Sequence, residues 1–366
     1  SPTPTPDPVG EALAGMTVEQ KAAQLLVAGI EGTEPGEDAV QAVQGYQVGG
    51  VILFGRNVES AEQLAALTNG LKELNGDYTP LFLCVDQEGG RVDRMPPEVS
   101  RTPSAWSVGQ TLDTEGVGVS YGELLAAECA AFGFNMDFAP SLDIWSNPDN
   151  TVIGDRAFGN DWEWTAFFGM SAVEGMEKQG TVIPVVKHFP GHGDTAVDSH
   201  TALPVVDKTL EDLWQSELVP FDMVLSGQFW GEPVMEPTPA VMVAHILLSQ
   251  IDPDNPASLS PEVVTGLLRE EMGYEGVVCT DDLTMGAISN TYGMGEAAVL
   301  AVEAGCDLLL VCHGADNLAE AHAALVEAVD SGCIPEERLD ESVYRVLSLK
   351  TVYGLSNAPV EAPDIE

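Results

Sequence analysis

"VGGVILFGRNVESAEQLAALTNGLKELNGDYTPLFLCVD", residues 48–86, holds two short apolar runs with a helical pattern between them. "VGGVILF" (48–54) and "PLFLCVD" (80–86) have the length of strands, and "SAEQLAALTNGLKELN" repeats apolar residues at helical spacing. Near-continuous apolar strands that alternate with helices indicate a parallel sheet covered by helices. The alternation recurs in "FNMDFAP" (134–140), "VIPVVKHF" (182–189), "AVMVAHI" (240–246), "EGVVCTDD" (275–282) and "CDLLLVC" (306–312); "AQLLVAGI" (23–30) supplies an eighth candidate strand. "NLAEAHAALVEAVDSG" is another helical pattern, ending at a glycine. About eight such units predict an α/β fold, a single-domain (β/α)8 TIM-type barrel. A doubly wound open sheet is the alternative, but no GxGxxG or GxxxxGK[ST] follows any strand to give it a nucleotide role.

The rest of the chain adds little beyond the barrel. "SPTPTPDPV" at the start has the composition of an extended spacer. Residues 1–14 are therefore expected to be a disordered spacer, 15–356 the catalytic barrel and 357–366 a tail. A spacer of this kind suits a secreted or cell-surface-anchored protein. "SGQFWGEPVMEPTP" (226–239) is a Pro/Gly-rich surface loop, with a lid as the other reading because Phe229 and Trp230 are apolar. No apolar run reaches about 18 residues, so no transmembrane helix is expected. The net charge of −44, from 58 acidic and 14 basic residues, argues against nucleic acid or an anionic membrane surface as a partner. A monomer is expected. Of the six cysteines, Cys84, Cys279 and Cys312 lie in strand-like runs and read as core residues, not disulfide partners.

In a parallel barrel, chemistry collects at the C-terminal ends of the strands. One strand runs into "VDQEGGRVDR", with Asp86, Glu88, Arg91 and Arg94. The next leads through "FAPSLDIWSNPDNTVIGDRAFG", with Asp143, Asp155 and Arg156. Another ends at Lys187 and His188 and enters "PGHGDTAVDSHTALP", with His192, Asp194, Asp198 and His200. His245 ends a fourth, and Asp281 and Asp282 a fifth. His188 and His192 have the spacing of helical zinc ligands, but Pro190, Gly191 and Gly193 prevent a helix there. No metal or other cofactor is expected. A strand-end carboxylate such as Asp281, kept ionised by nearby cations, is a plausible nucleophile. Asp198 and His200, two apart on an extended stretch, share a face, so the carboxylate can hold one imidazole nitrogen and favour the imidazolium. That makes a general acid; a pair that merely ties the loop down is the alternative. Asp194 is the next candidate for the proton. Nucleophile and acid together suggest glycoside hydrolysis through a covalent intermediate.

At these residues the sequence resembles family 3 glycoside hydrolases, specifically the single-barrel bacterial β-N-acetylglucosaminidases (β-N-acetylhexosaminidases). "GGVILFGRN", "DQEGGRVDR", "FAPSLDI", "VIGDRAFG", "KHFPGHGDTAVDSH", "VMVAHI", "VVCTDDLTMGAI" and "RVLSLKTVYGL" are similar to that family's motifs, in its order, over roughly residues 15–355. The resemblance implies that Asp281, not Asp282, is the nucleophile, a choice the strand alone leaves open. It implies that His200 is the acid/base and Asp198 its partner, and that Asp86 binds sugar hydroxyls. Arg94, Arg156, Lys187 and His188 would line the N-acetylglucosamine pocket, with His245 a further pocket histidine. His192 fits the loop motif as a structural residue; His313 and His322 match nothing. The implied activity is retaining exo-cleavage of terminal N-acetylglucosamine from peptidoglycan fragments or other envelope glycans. The rivals are a phosphorylase with the same site, phosphate replacing water, and a non-catalytic glycan-binding barrel.

Overall fold

In a computed structural model of the chain, which describes residues 7–111, 116–195, 199 and 202–364, eight parallel strands close a barrel. They are β1 (Leu26–Gly29), β2 (Gly50–Ile52), β3 (Phe82–Val85), β4 (Met136–Asp137), β5 (Ile183–Phe189), β6 (Ala240–Val243), β7 (Val277–Asp282) and β8 (Leu308–Val311). Because β1 pairs with both β2 and β8, the sheet has no edge and the open-sheet alternative is set aside. The candidate eighth strand is β1.

Both faces of each strand are buried, which is why the strands read as continuous apolar runs. Val27, Ile52, Phe82, Cys84, Val185, Met242, Cys279 and Leu310 fill the barrel interior. Their neighbours in sequence, such as Leu26, Val51, Leu83, Val186, Val241, Val278 and Leu309, belong to the core shared with the helices. The helix Ala61–Asn75 starts where Ser60 Oγ accepts the amide of Gln63 at 3.2 Å, and it buries Leu64, Leu67 and Leu71. Helices Val117–Ala131 and Trp162–Glu177 approach so closely at Gly122 that a Cβ there would lie 1.9 Å from the carbonyl oxygen of Ala172.

The last helix, Glu336–Val352, seals the N-terminal end of the barrel. Val346 and Leu349 join the interior cluster. Lys350 Nζ donates to Gln24 Oε1 (2.9 Å) and Gly49 O (2.8 Å) and lies 4.7 Å from the centre of the Phe82 ring.

Three segments outside the barrel strands take definite structure. Within the stretch 1–14 expected to be a spacer, Pro8–Ala14 is a helix: Asp7 caps it by accepting Gly10 N (2.9 Å), and Pro8 suits its first turn. The tail is tied to the barrel, Asn357 Nδ2 donating to Gly76 O and Val360 N to Asn69 Oδ1, each at 2.8 Å. The loop 226–239 forms a small hairpin of Gln228–Phe229 with Glu232–Pro233, and the Trp230 ring packs 5.8 Å from that of Trp162. None of its residues lines the cavity at the C-terminal end of the barrel, so it is no lid in this structure. All six cysteines are free, and only Cys333 is exposed. Among the described residues, no helix is long and apolar enough to cross a membrane.

Candidate active site

A cavity of about 230 Å³ opens at the C-terminal ends of the strands. A larger groove of about 1000 Å³ lies at the other end, between the last helix and the start of β7, and is lined by Glu177, Glu236, Glu275, Glu337 and Glu341. It shares no residue with the strand-end constellation, so the smaller cavity is the candidate site.

β3 delivers Asp86, and Glu88 follows two residues on. Lys187, at the end of β5, bridges them: its Nζ is 2.6 Å from Asp86 Oδ1 and 2.6 Å from Glu88 Oε1. Arg156, from the loop after β4, grips Glu88 with two bonds of 2.8 Å. Burial works against ionisation of Glu88, but Arg156 and Lys187 outweigh it and hold its carboxyl far below the usual range. Burial likewise opposes the Lys187 ammonium, and Asp86 and Glu88 more than restore it. Glu88 is thus the buried counter-ion that fixes both cations while Asp86 stays partly open to the cavity.

His188 is held from two sides. Its Nδ1 is 2.6 Å from Asp143 Oδ2, and Arg156 Nη2 lies 3.2 Å from Nε2. An arginine only donates, so this geometry uses the Nδ1–H tautomer. Asp143 also accepts Ser141 Oγ (2.8 Å) and the amide of His192 (2.6 Å). Burial would raise its carboxyl, yet His188 and His192 bring it down to about 2.

The stretch after β5 folds back against the loop after β4. Gly193 makes this possible, because a Cβ there would sit 1.7 Å from Ile144 O. Asn150 Nδ2 donates to His192 O (2.8 Å), and Thr195 Oγ1 and Ser199 Oγ lie 2.8 and 3.2 Å from the two ring nitrogens of His192. Every ring nitrogen of His188 and His192 is engaged by protein groups, so their spacing presents no shared pair of metal ligands. Among the described residues, no cluster of three metal-binding side chains occurs. Asp194, the fallback proton donor, is paired with Lys208 (3.0 Å) and does not line the cavity.

β7 ends in two adjacent aspartates with different surroundings. A register shift between Cys279 and Asp282 brings both to the cavity. Asp282 is tied down: Oδ1 accepts Thr284 N (2.9 Å) and Cys312 N (3.1 Å), and Oδ2 accepts Thr284 Oγ1 (2.5 Å). Among the described residues, the side chain of Asp281 accepts one hydrogen bond, from the amide of Asp282 (2.7 Å). Burial would raise Asp281; His245, His188, that amide and Lys187 outweigh it and lower its carboxyl. His245 is itself pushed toward the neutral imidazole by burial, so near neutral pH its contribution shrinks and the amide and Lys187 matter more. A partly buried, ionised carboxylate that faces a cavity can attack an electrophilic carbon.

The structure thus gathers Asp86, Arg94, Arg156, Lys187, His188 and Asp281 around one cavity. His245 is brought close but sits behind the wall, fully buried, with Nε2 2.9 Å from Asp282 O and Nδ1 2.7 Å from Ser258 Oγ. Asp198 and His200 lie outside the described residues; Ser199 lines the cavity and its carbonyl accepts Ala287 N (3.0 Å). Glu88 and Asp143 have no role from the sequence alone; the available signal for Glu88 is its place two residues after Asp86, and for Asp143 its place within "FAPSLDI". Phe54 and His313 also line the cavity mouth; Phe54 lies within the motif "GGVILFGRN" but has no charged or polar group to single it out, and His313 belongs to no motif.

Comparison with known proteins finds relatives over most of the chain. The β-hexosaminidase of Alkalilimnicola ehrlichii is 38% identical over 293 residues, covering 79% of this chain and 80% of that protein. β-Hexosaminidase A of Pseudoalteromonas piscicida is 33% identical over 341 residues, 87% of this chain but 56% of that protein. A solved family 3 β-N-acetylglucosaminidase from Paenibacillus sp. str. FPU-7 superposes with a TM-score of 0.88 at 44% identity, over 93% of this chain and 63% of its own. Residues 17–349 match the glycosyl hydrolase family 3 N-terminal domain, and the chain belongs to that family.

Proposed function

We propose that the chain is a retaining β-N-acetylhexosaminidase that removes a terminal non-reducing N-acetylglucosamine from an envelope glycan such as a peptidoglycan fragment. The observation that carries this reading is Asp281, a partly buried carboxylate of lowered pKa with one hydrogen bond to its side chain among the described residues. It faces a cavity the size of one sugar, walled by Asp86, Arg156, Lys187 and His188. Asp86 and Lys187 would take sugar hydroxyls, Asp281 would attack the anomeric carbon, and a glycosyl ester would form. His200, oriented by Asp198, would protonate the leaving oxygen and then deprotonate the incoming water. Ser199, between them in sequence, lines the cavity, which supports placing the proton donor there. The names of the related hexosaminidases support the choice of substrate.

The test is release of p-nitrophenol from matched β-N-acetylglucosaminide and β-glucoside, with and without phosphate. A strong preference for the N-acetylglucosaminide with free sugar as product supports the reading. Preference for the glucoside overturns the substrate, and sugar 1-phosphate as product overturns the hydrolase in favour of a phosphorylase.

A further inference from the structure

The charged groups of the cavity are unevenly spread. Asp86, Arg156, Lys187 and His188 come from β3, β5 and the loop after β4. On the remaining side, between Asp281 and Asp86, the cavity wall is Phe54, from the end of β2 next to β3, with Cys312 and His313 after β8 next to β7. A sugar whose hydroxyls meet the charged half has its anomeric carbon at Asp281, and the bond to be broken points out of the cavity. The rim beside β7 and away from those donors belongs to β8, and His313 stands there.

The His313 ring stacks on Phe54, centroids 5.9 Å apart and planes at 21°. Its Nε2 is 3.9 Å from Asp282 Oδ2, and 55% of its side chain is exposed. The backbone beneath is pinned three times. Arg56 Nη2 donates to Cys312 O (3.0 Å), Cys312 N donates to Asp282 Oδ1 (3.1 Å), and Asn317 Nδ2 donates to His313 O (2.8 Å). The guanidinium carbon of Arg56 also lies 4.7 Å from the centre of the Phe54 ring and steadies it. An exposed ring held on so fixed a backbone adds little to packing and is preorganised for a ligand.

We propose that the Phe54–His313 stack is the platform for the leaving group, and that the leaving group is a second pyranose laid with its C–H face on the imidazole. This rests on the glycosidase reading above. A pyranose has a flat apolar face that suits a ring, whereas a small leaving group would not reach it.

The experiment compares wild type, His313→Ala and His313→Phe on two substrates, the β-1,4-linked disaccharide of N-acetylglucosamine and N-acetyl-β-glucosaminyl fluoride. For His313→Ala, KM for the disaccharide should rise about 3- to 10-fold with kcat little changed, the loss expected for one ring contact. Turnover of the fluoride should stay at the wild-type level, and His313→Phe should restore the disaccharide KM. Equal losses on both substrates, no change on either, or failure of His313→Phe to rescue would overturn the proposal while leaving the glycosidase reading intact. A wild-type protein that cleaves neither substrate would overturn both.

Discussion

At the scale of single residues, the site works by giving each carboxylate a different set of partners. Asp282 accepts three hydrogen bonds, Glu88 is locked between two cations, Asp143 orients His188, and Asp281 accepts one among the described residues. Sequence alone could not sort them, because "TDD" offers two equal aspartates. The difference lies in Thr284 and in the amide of Cys312, thirty residues away. Asp143→Asn should remove the charge that holds His188 and lower kcat/KM roughly 10- to 100-fold, as expected for a lost charge-assisted hydrogen bond. It should also change acid stability. The Asp143 carboxyl sits at about 2 when folded and near 3.9 when unfolded, so its contribution is complete above about pH 4 and lost as pH falls toward 2. Urea titrations across that window should find wild type losing roughly 2 kcal/mol more than Asp143→Asn. Parallel pH dependences would contradict the role given to this carboxylate.

At the scale of elements, two irregular strand ends create the site. β5 shifts register against β6 between Val186 and Phe189, and β7 shifts against β8 between Cys279 and Asp282. Strict alternation would send one of Lys187/His188 and one of Asp281/Asp282 away from the cavity; the shifts let both of each pair reach it. The strands themselves were legible because both faces are apolar, and the barrel followed from their number. That same two-sided burial erased the inside–outside pattern, so neither shift left a mark in the sequence. Gly193 is the matching device on the loop after β5. Gly193→Ala would force Cβ against Ile144 O and push the start of that loop from its seat. Activity should fall about 10²-fold, the cost of misplacing groups by about 1 Å. The circular dichroism of the barrel should stay that of wild type; full activity would mean that the loop's position is unimportant.

At the scale of the whole molecule, the barrel has a chemical end and a structural end. The structural end is closed by Lys350, whose ammonium is buried with no carboxylate partner among the described residues; burial pushes it down to about 7 despite its contacts with Gln24 and Gly49. Between about pH 7 and its unfolded value near 10.4, the unfolded chain binds a proton that the folded chain lacks, so stability should rise with pH. Denaturant titrations should find this rise, on the order of a few kcal/mol, in wild type and not in Lys350→Met. The same slope in both proteins would show that the lysine stays charged in the fold. The sequence made this closing helix recognisable only by resemblance, since a lysine within "RVLSLKTVYGL" does not announce that it points into a barrel.

On the proposed mechanism, Asp281 becomes covalently glycosylated during turnover. This step is tested most directly by incubating the protein with a slowly turned-over fluorinated N-acetylglucosaminyl fluoride and mapping the adduct by peptide mass spectrometry. One added sugar is expected, on Asp281. A sugar on Asp282, or an active enzyme that never acquires a label, would contradict it.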